Sequence, residues 1–248
     1  MTVNAEDTTA WIRRYHPAPE APHRLVCFPH AGGSASYYFP VARSLSPRVD
    51  VLAMQYPGRQ DRYTEPCIDD IGELAERAAE VLRPWADQPL AFFGHSMGAS
   101  LAFEVARKFE AEGIPLQHLF VSGRRAPTRT RDEGVHLLDD DGLLAEMRRL
   151  GGTEAAVLQE DDLVKMMLPV LRSDYKAAET YRYVPGPDVS CPIHALVGDA
   201  DPRATVDEAR SWGDHTSGEF TLRVFPGGHF YLGEQQAEVL RTISDHLG

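Results

Sequence analysis

Short apolar runs recur along the chain, and longer stretches between them return to apolar residues every three or four positions. The runs are "RLVCF" (24–28), "VDVLAM" (49–54), "PLAFF" (89–93), "HLFVS" (118–122), "PIHALVG" (192–198) and "FTLRVF" (220–225). Most are continuous rather than alternating, which predicts strands buried on both faces. The stretches between them read as helices: "IDDIGELAERAAEVLRPW", "MGASLAFEVARKFEAEG", "TVDEARSWG" and "EQQAEVLRTISDHLG". In the second, Leu101, Val105 and Phe109 share one face and Gly113 supplies a stop. Such alternation predicts one α/β domain over residues 1–248, a mostly parallel sheet flanked by helices. No repeat or low-complexity segment interrupts it.

One region departs from the pattern. From about Thr128 to Pro187 no strand signal occurs, whereas "HLLDDDGLLAEMRRL" and "DDLVKMMLPVLRSDYKAAETYRY" are helical in period. Asp139 or Asp140 is placed to cap the first, and Pro185, Gly186 and Pro187 close the segment. A helical insertion of this size between two strands is expected to form a lid over the sheet's carboxyl edge. Met166, Met167, Leu168 and Leu171, with Tyr175 one turn on, form its apolar stretch and are the candidate substrate-contacting residues; methionine adapts to irregular partners.

Composition narrows the class. The 248 residues are 43% hydrophobic, enough for a full core, and carry a net charge of −12, which disfavours nucleic acid. The start, "MTVNAEDTTA", is polar rather than signal-like, and no run of about 18 apolar residues suggests a membrane span. Three scattered cysteines, Cys27, Cys67 and Cys191, argue for a reducing compartment, hence the cytoplasm, and against a disulfide framework. Ten histidines include no zinc-type spacing, so no metal is expected.

The chemistry is carried by "GHSMG" (94–98), directly behind "PLAFF". G-x-S-x-G after a strand and before a helix matches a nucleophile elbow, in which a strained turn lifts Ser96 above the sheet. A serine nucleophile needs a base and an acid to orient it, following in the order Ser, Asp or Glu, His. "VGDADP" and "FPGGHF" supply that order behind the next strands, with His229 as base. The acid is Asp199 or Asp201; the extended backbone imposed by Pro202 favours Asp201, and Asp199 is better placed to bind the loop. Oxyanion donors are expected at the N–H of Met97 and, from "FPHAGG" (28–33), at the N–H of Ala31. His30 and His95 read as packing residues. A carboxylesterase or lipase would share this set, whereas a catalytically silent carrier-binding module would not need it.

Seven segments together resemble one family. "FPHAGGSASYYFPVA", "QYPGRQDRYTEP", "FFGHSMGASLAFEVAR", "VSGRRAP", "LPVLRSDYKAAETYRY", "GDADP" and "FPGGHFYL" are similar to the type II thioesterases of polyketide synthase and nonribosomal peptide synthetase pathways, from about Trp11 onwards. The resemblance implies an α/β-hydrolase fold and hydrolysis of acyl groups from the phosphopantetheine arm of acyl or peptidyl carrier proteins. It also implies the triad Ser96, Asp201 and His229 with donors Ala31 and Met97. No cofactor of the enzyme's own is implied, since the arm belongs to the substrate, and a monomer is expected.

The resemblance also implies carriers that are acidic around the modified serine, so local charge matters. Residues 122–131 hold Arg124, Arg125, Arg129 and Arg131 and no acid, whereas residues 132–188 hold 13 acids against 6 bases. Arg124 and Arg125 are therefore the candidate docking residues, the alternative being that they pair with the insertion's own acids.

Overall fold

The six apolar runs become six strands of one seven-stranded sheet, ordered β1-β3-β2-β4-β5-β6-β7, in which only β1 came from no such run. They span Ile12–Arg13 (β1), His23–Phe28 (β2), Val49–Met54 (β3), Leu90–His95 (β4), Leu116–Ser122 (β5), Ile193–Gly198 (β6) and Phe220–Phe225 (β7). β1 pairs antiparallel with β3; all the other pairings are parallel. The structure, a computed structural model, describes residues 10–152 and 160–248. The polar start of the chain and part of the expected 128–187 insertion lie outside the described residues.

Parallel strands leave both faces to be covered. Helices Phe39–Leu45 (α1) and Gln236–Leu247 (α8) pack on one face, against Leu25, Val51, Ala91 and Phe120. Helices Ile71–Leu82 (α2) and Met97–Ala111 (α3) cover the other, against Val26, Leu52, Phe92 and Leu119. Leu101, Val105 and Phe109 are fully buried there. Each such side chain contributes on the order of 1.5–3 kcal/mol by leaving water. Asp70 caps α2 by accepting from Glu73 N–H, as the polar residue before the periodic run should.

Register then assembles the site. Phe28 lies beside Gly94, His95 beside Ser122, Ser122 beside Leu196 and Gly198 beside Phe225. The loops that begin at 29, 96, 123, 199 and 226 therefore leave one edge of the sheet. Between β2 and β4 the strand order reverses, the crevice in which open α/β sheets bind ligands.

Among the described residues no strand forms between Gly123 and Pro187. Helices Asp140–Leu150 (α4) and Asp161–Thr180 (α5) occupy that stretch, and Asp139 is the cap of α4, accepting from Gly142 N–H at 2.9 Å. Val135, Leu143, Leu144, Met147 and Leu171 form a small apolar cluster separate from the main cores. The other α-helices among the described residues are Val206–Arg210 (α6), held by a Thr205–Glu208 capping box, and Tyr231–Glu234 (α7). No helix among the described residues is long and apolar enough to cross a membrane.

Candidate active site

Ser96 sits between β4 and α3 with φ 55° and ψ −118°, a conformation that costs a side-chain-bearing residue on the order of 1–3 kcal/mol. The turn is overdetermined by its surroundings. A Cβ on Gly94 would lie 2.2 Å from the carbonyl oxygen of Gly98, and one on Gly98 would lie 2.1 Å from that of Phe28. The two glycines thus let α3 start directly against β4 and β2. Ser96 N–H donates to Ser122 O at 2.8 Å and ties the turn to β5.

His229 hangs from the loop after β7, 3% exposed on its side chain. Its Nδ1–H donates to both Asp201 oxygens, at 3.0 and 2.9 Å, and the Asp201 side chain is sealed from solvent. Arg203 N–H donates to the same carboxylate at 2.8 Å. With Nδ1 committed as a donor, Nε2 is the nitrogen left to accept a proton. Asp199 has a different partner: its Oδ1 accepts from Gly227 N–H at 2.9 Å, which pins the turn that carries His229. Asp201, not Asp199, is the carboxylate that meets the imidazole.

Two further histidines stay neutral. Burial pushes His30 down to about 3, and its ring packs 4.7 Å from Tyr37 and 4.9 Å from Phe230. His95 is buried, its pKa held well below the usual range by desolvation, with Nδ1 2.9 Å from Ser122 Oγ. Ser122 Oγ in turn meets Tyr231 OH at 2.7 Å. Neutral rings beside His229 spare an imidazolium there from like-charge repulsion.

The loop after β2 supplies an amide. Gly33 N–H donates to His30 O at 2.9 Å, and Gly32 N–H to Asp174 Oδ2 at 2.7 Å. Ala31 N–H has no protein acceptor among the described residues, and Ala31 lines a cavity of about 280 Å³ shared with Ser96 and His229. Met97 N–H lies in the first turn of α3, where amides have no intrahelical acceptor. Residues 23–247 match the thioesterase domain family.

The chain belongs to the thioesterase family.

This thioesterase, a thioester hydrolase by family, is 54% identical over 243 residues to the thioesterase PikA5 of Streptomyces venezuelae, covering 97% of this chain and 86% of that protein. The solved structure of BorB, a type II thioesterase from the borrelidin biosynthetic cluster, is 57% identical with a TM-score of 0.92, covering 96% of this chain and 98% of that one. RedJ, a thioesterase from the prodiginine pathway of Streptomyces coelicolor, is 40% identical with a TM-score of 0.86, over 91% and 86%. The thioesterase has the α/β-hydrolase fold of these neighbours.

The two remaining groups of expected site residues are divided by the fold. Arg125 is 5% exposed, paired with Glu133 at 3.2 Å and donating to Arg203 O at 3.0 Å. Arg124 turns inward: its Nε donates to Ser100 Oγ at 2.9 Å and its Nη2 to Ala178 O at 2.8 Å. The short path from β5 into the insertion folds Arg125 against an acid and a carbonyl and Arg124 against a hydroxyl and a carbonyl of the thioesterase itself, so neither forms an exposed docking surface. Of the apolar stretch on α5, Leu171 and Tyr175 line the cavity, whereas Met166 is 58% exposed and Met167 packs on the separate helical cluster with Leu168. Helical rotation turns Met166 away from the stripe of positions 171, 175 and 178, whereas Met167 and Leu168 share that face one turn nearer the helix start and pack on the cluster there.

Other residues of the site carried no sequence signal. Asp174, fully buried on α5, holds Arg59 at 2.7 and 2.8 Å as well as Gly32 N–H. Arg59 also donates to Gly33 O at 3.0 Å. One ion pair therefore links the helix above the cavity to the amide loop beneath it. Arg203 joins Glu133 and Glu146 and lies over the Tyr175 ring. Spacings of 115 and 57–70 residues leave no trace in local pattern; of these five charged residues, Arg59 and Asp174 fell within segments that carried the family resemblance.

Proposed function

We propose that this thioesterase removes acyl groups from the phosphopantetheine arm of acyl or peptidyl carrier proteins and so edits polyketide or nonribosomal peptide assembly lines. The observation that carries the reading is His229, fixed by Asp201 in one tautomer, opening onto the same cavity as a strained Ser96. The relatives support the setting: BorB is described from the borrelidin cluster, and YbtT as a type II thioesterase of a mixed synthetase pathway.

In this reading Ser96 Oγ attacks the thioester carbonyl and its proton passes to His229 Nε2. Asp201 stabilises the imidazolium. Negative charge on the carbonyl oxygen is received by the N–H groups of Ala31 and Met97. Collapse breaks the C–S bond; the departing thiolate takes the proton from His229 and leaves as the free arm. A water then gives a proton to His229 and attacks the acyl ester. Ser96 recovers its proton as the carboxylic acid departs. The insertion acts as the lid of this cavity.

Intact-protein mass spectrometry of acyl-loaded carrier proteins tests the proposal. The wild type should return the free-arm mass, and Ser96→Ala should leave the acyl carrier intact. Hydrolysis of free esters without deacylation of carriers would instead make the chain a carboxylesterase.

A further inference from the structure

The cavity above Ser96 holds an arginine that the triad chemistry does not use. Arg124 lines it, yet has no carboxylate within 4.0 Å among the described residues, whereas its neighbours Arg125, Arg131 and Arg203 each have one. Burial pulls its pKa down only to about 10, so it is charged at neutral pH. A cation out of water needs its donors satisfied. The fork formed by Nε and Nη2 is used on Ser100 Oγ and Ala178 O. Nη1, at the other edge of the guanidinium plane, has no protein partner and is not among the sealed polar atoms of the described residues.

Distance from the chemistry follows from the helix. Ser100 is four residues beyond Ser96 on α3, a rise of about 6 Å. The guanidinium bound to Ser100 is thus a short acyl chain away from the nucleophile. Met147, Leu150 and Leu171 supply apolar wall for the hydrocarbon. Charge in that wall selects the kind of oxygen. Glu133, Glu179 and Arg203 also line the cavity; Arg203 is taken up by Glu133 and Glu146, Glu133 is shared with Arg125, and Glu179 accepts from Val135 and His136 N–H. A carboxylate on the acyl group would face these two acids, whereas a neutral acceptor would not.

We propose that Arg124 gives the acyl cavity an oxygen-recognising subsite, so that the preferred acyl groups carry an uncharged keto or hydroxyl oxygen a few atoms from the thioester carbon. The proposal deepens the thioesterase reading and rests on it.

The test is kcat/KM for hexanoyl, 3-oxo-, 4-oxo- and 5-oxohexanoyl N-acetylcysteamine thioesters, each divided by its hydroxide-catalysed rate, with the glutaric acid monothioester as charged control. At least one keto position should exceed hexanoyl by about tenfold, the scale of a hydrogen bond from a charged donor, and the charged control should fall below hexanoyl. Arg124→Met keeps most of the stem and should bring the keto ratio to within about twofold of one, with Arg124→Lys intermediate. A wild-type series with no keto preference would overturn the subsite. So would an Arg124→Met enzyme that loses rate equally on all substrates, because Arg124 would then only brace α3 to α5. Should Arg124→Met fail to fold, the wild-type series and Arg124→Lys decide. If no thioester is hydrolysed faster by the wild type than by Ser96→Ala, the thioesterase mechanism itself falls, a result distinct from uniform hydrolysis.

Discussion

At Ser96 backbone strain and function occupy one residue. Ser96→Ala should abolish turnover while leaving stability nearly unchanged, because alanine meets the same positive φ. Ser96→Gly should be equally inactive yet more stable than Ser96→Ala by about 1 kcal/mol, since glycine adopts this conformation without a Cβ penalty. Chemical denaturation of the two variants reads the difference. Asp201→Asn should lower kcat by a factor on the order of 10⁴, by analogy with serine proteases whose imidazole loses its orienting carboxylate. Asp199→Asn loosens only the Gly227 turn and should cost far less; steady-state kinetics of the pair would expose a reversed assignment.

Histidines also set the acid limit of stability. His30 and His194 are both pushed down to about 3, chiefly by burial. Between that value and about 6.5 the unfolded chain binds protons that the folded chain refuses, so stability rises with pH across the window and is lost on acidification. His194, bonded to His118 and Thr221 away from Ser96, allows a clean test. His194→Gln should reduce the slope of unfolding free energy against pH by up to about one proton between pH 4 and 6.

At the level of elements, the strands were legible because burial on both faces leaves continuous apolar runs, and their bounds shift by only a few residues. β1 was not, because Ile12 and Arg13 are too few to form a pattern and depend on pairing with Met54 and Ala53. α1, "FPVARSL", is a seven-residue helix with Pro40 in its first turn, too short for a period to emerge. The elbow and the two loops of the triad were readable since each follows its strand by a few residues. The Arg59–Asp174 link was not, because it is made entirely by tertiary packing. Removing it has a specific signature. Asp174→Asn should destabilise the fold by about 3–5 kcal/mol, as breaking a buried pair does, and lower kcat. The apolar pair Arg59→Met with Asp174→Leu should recover much of the stability but not the rate, since leucine offers Gly32 N–H no acceptor. Thermal melts with steady-state kinetics on both variants separate the two effects.

Over the whole molecule, the parallel register gathers loops from five strands onto one edge, so residues scattered between positions 31 and 229 share a single cavity. Charge was harder to read than topology. The cluster of arginines after β5 was visible in the sequence, but its direction depended on where Glu133 and Glu208 would fold, and these absorb Arg125 and Arg131. The carboxylate of Asp174 leads to a consequence for selectivity. It seats the helix over the cavity and steadies the amide loop at once, which makes it an interlock: a cover held ajar is a catalyst left unarmed. An acyl group too bulky for the cover to seat is expected to be discriminated in turnover rather than in affinity. It should behave as a competitive inhibitor with a Ki near the KM of good substrates and with kcat collapsed. A fall in affinity with kcat preserved would show the two ends of the link to move independently.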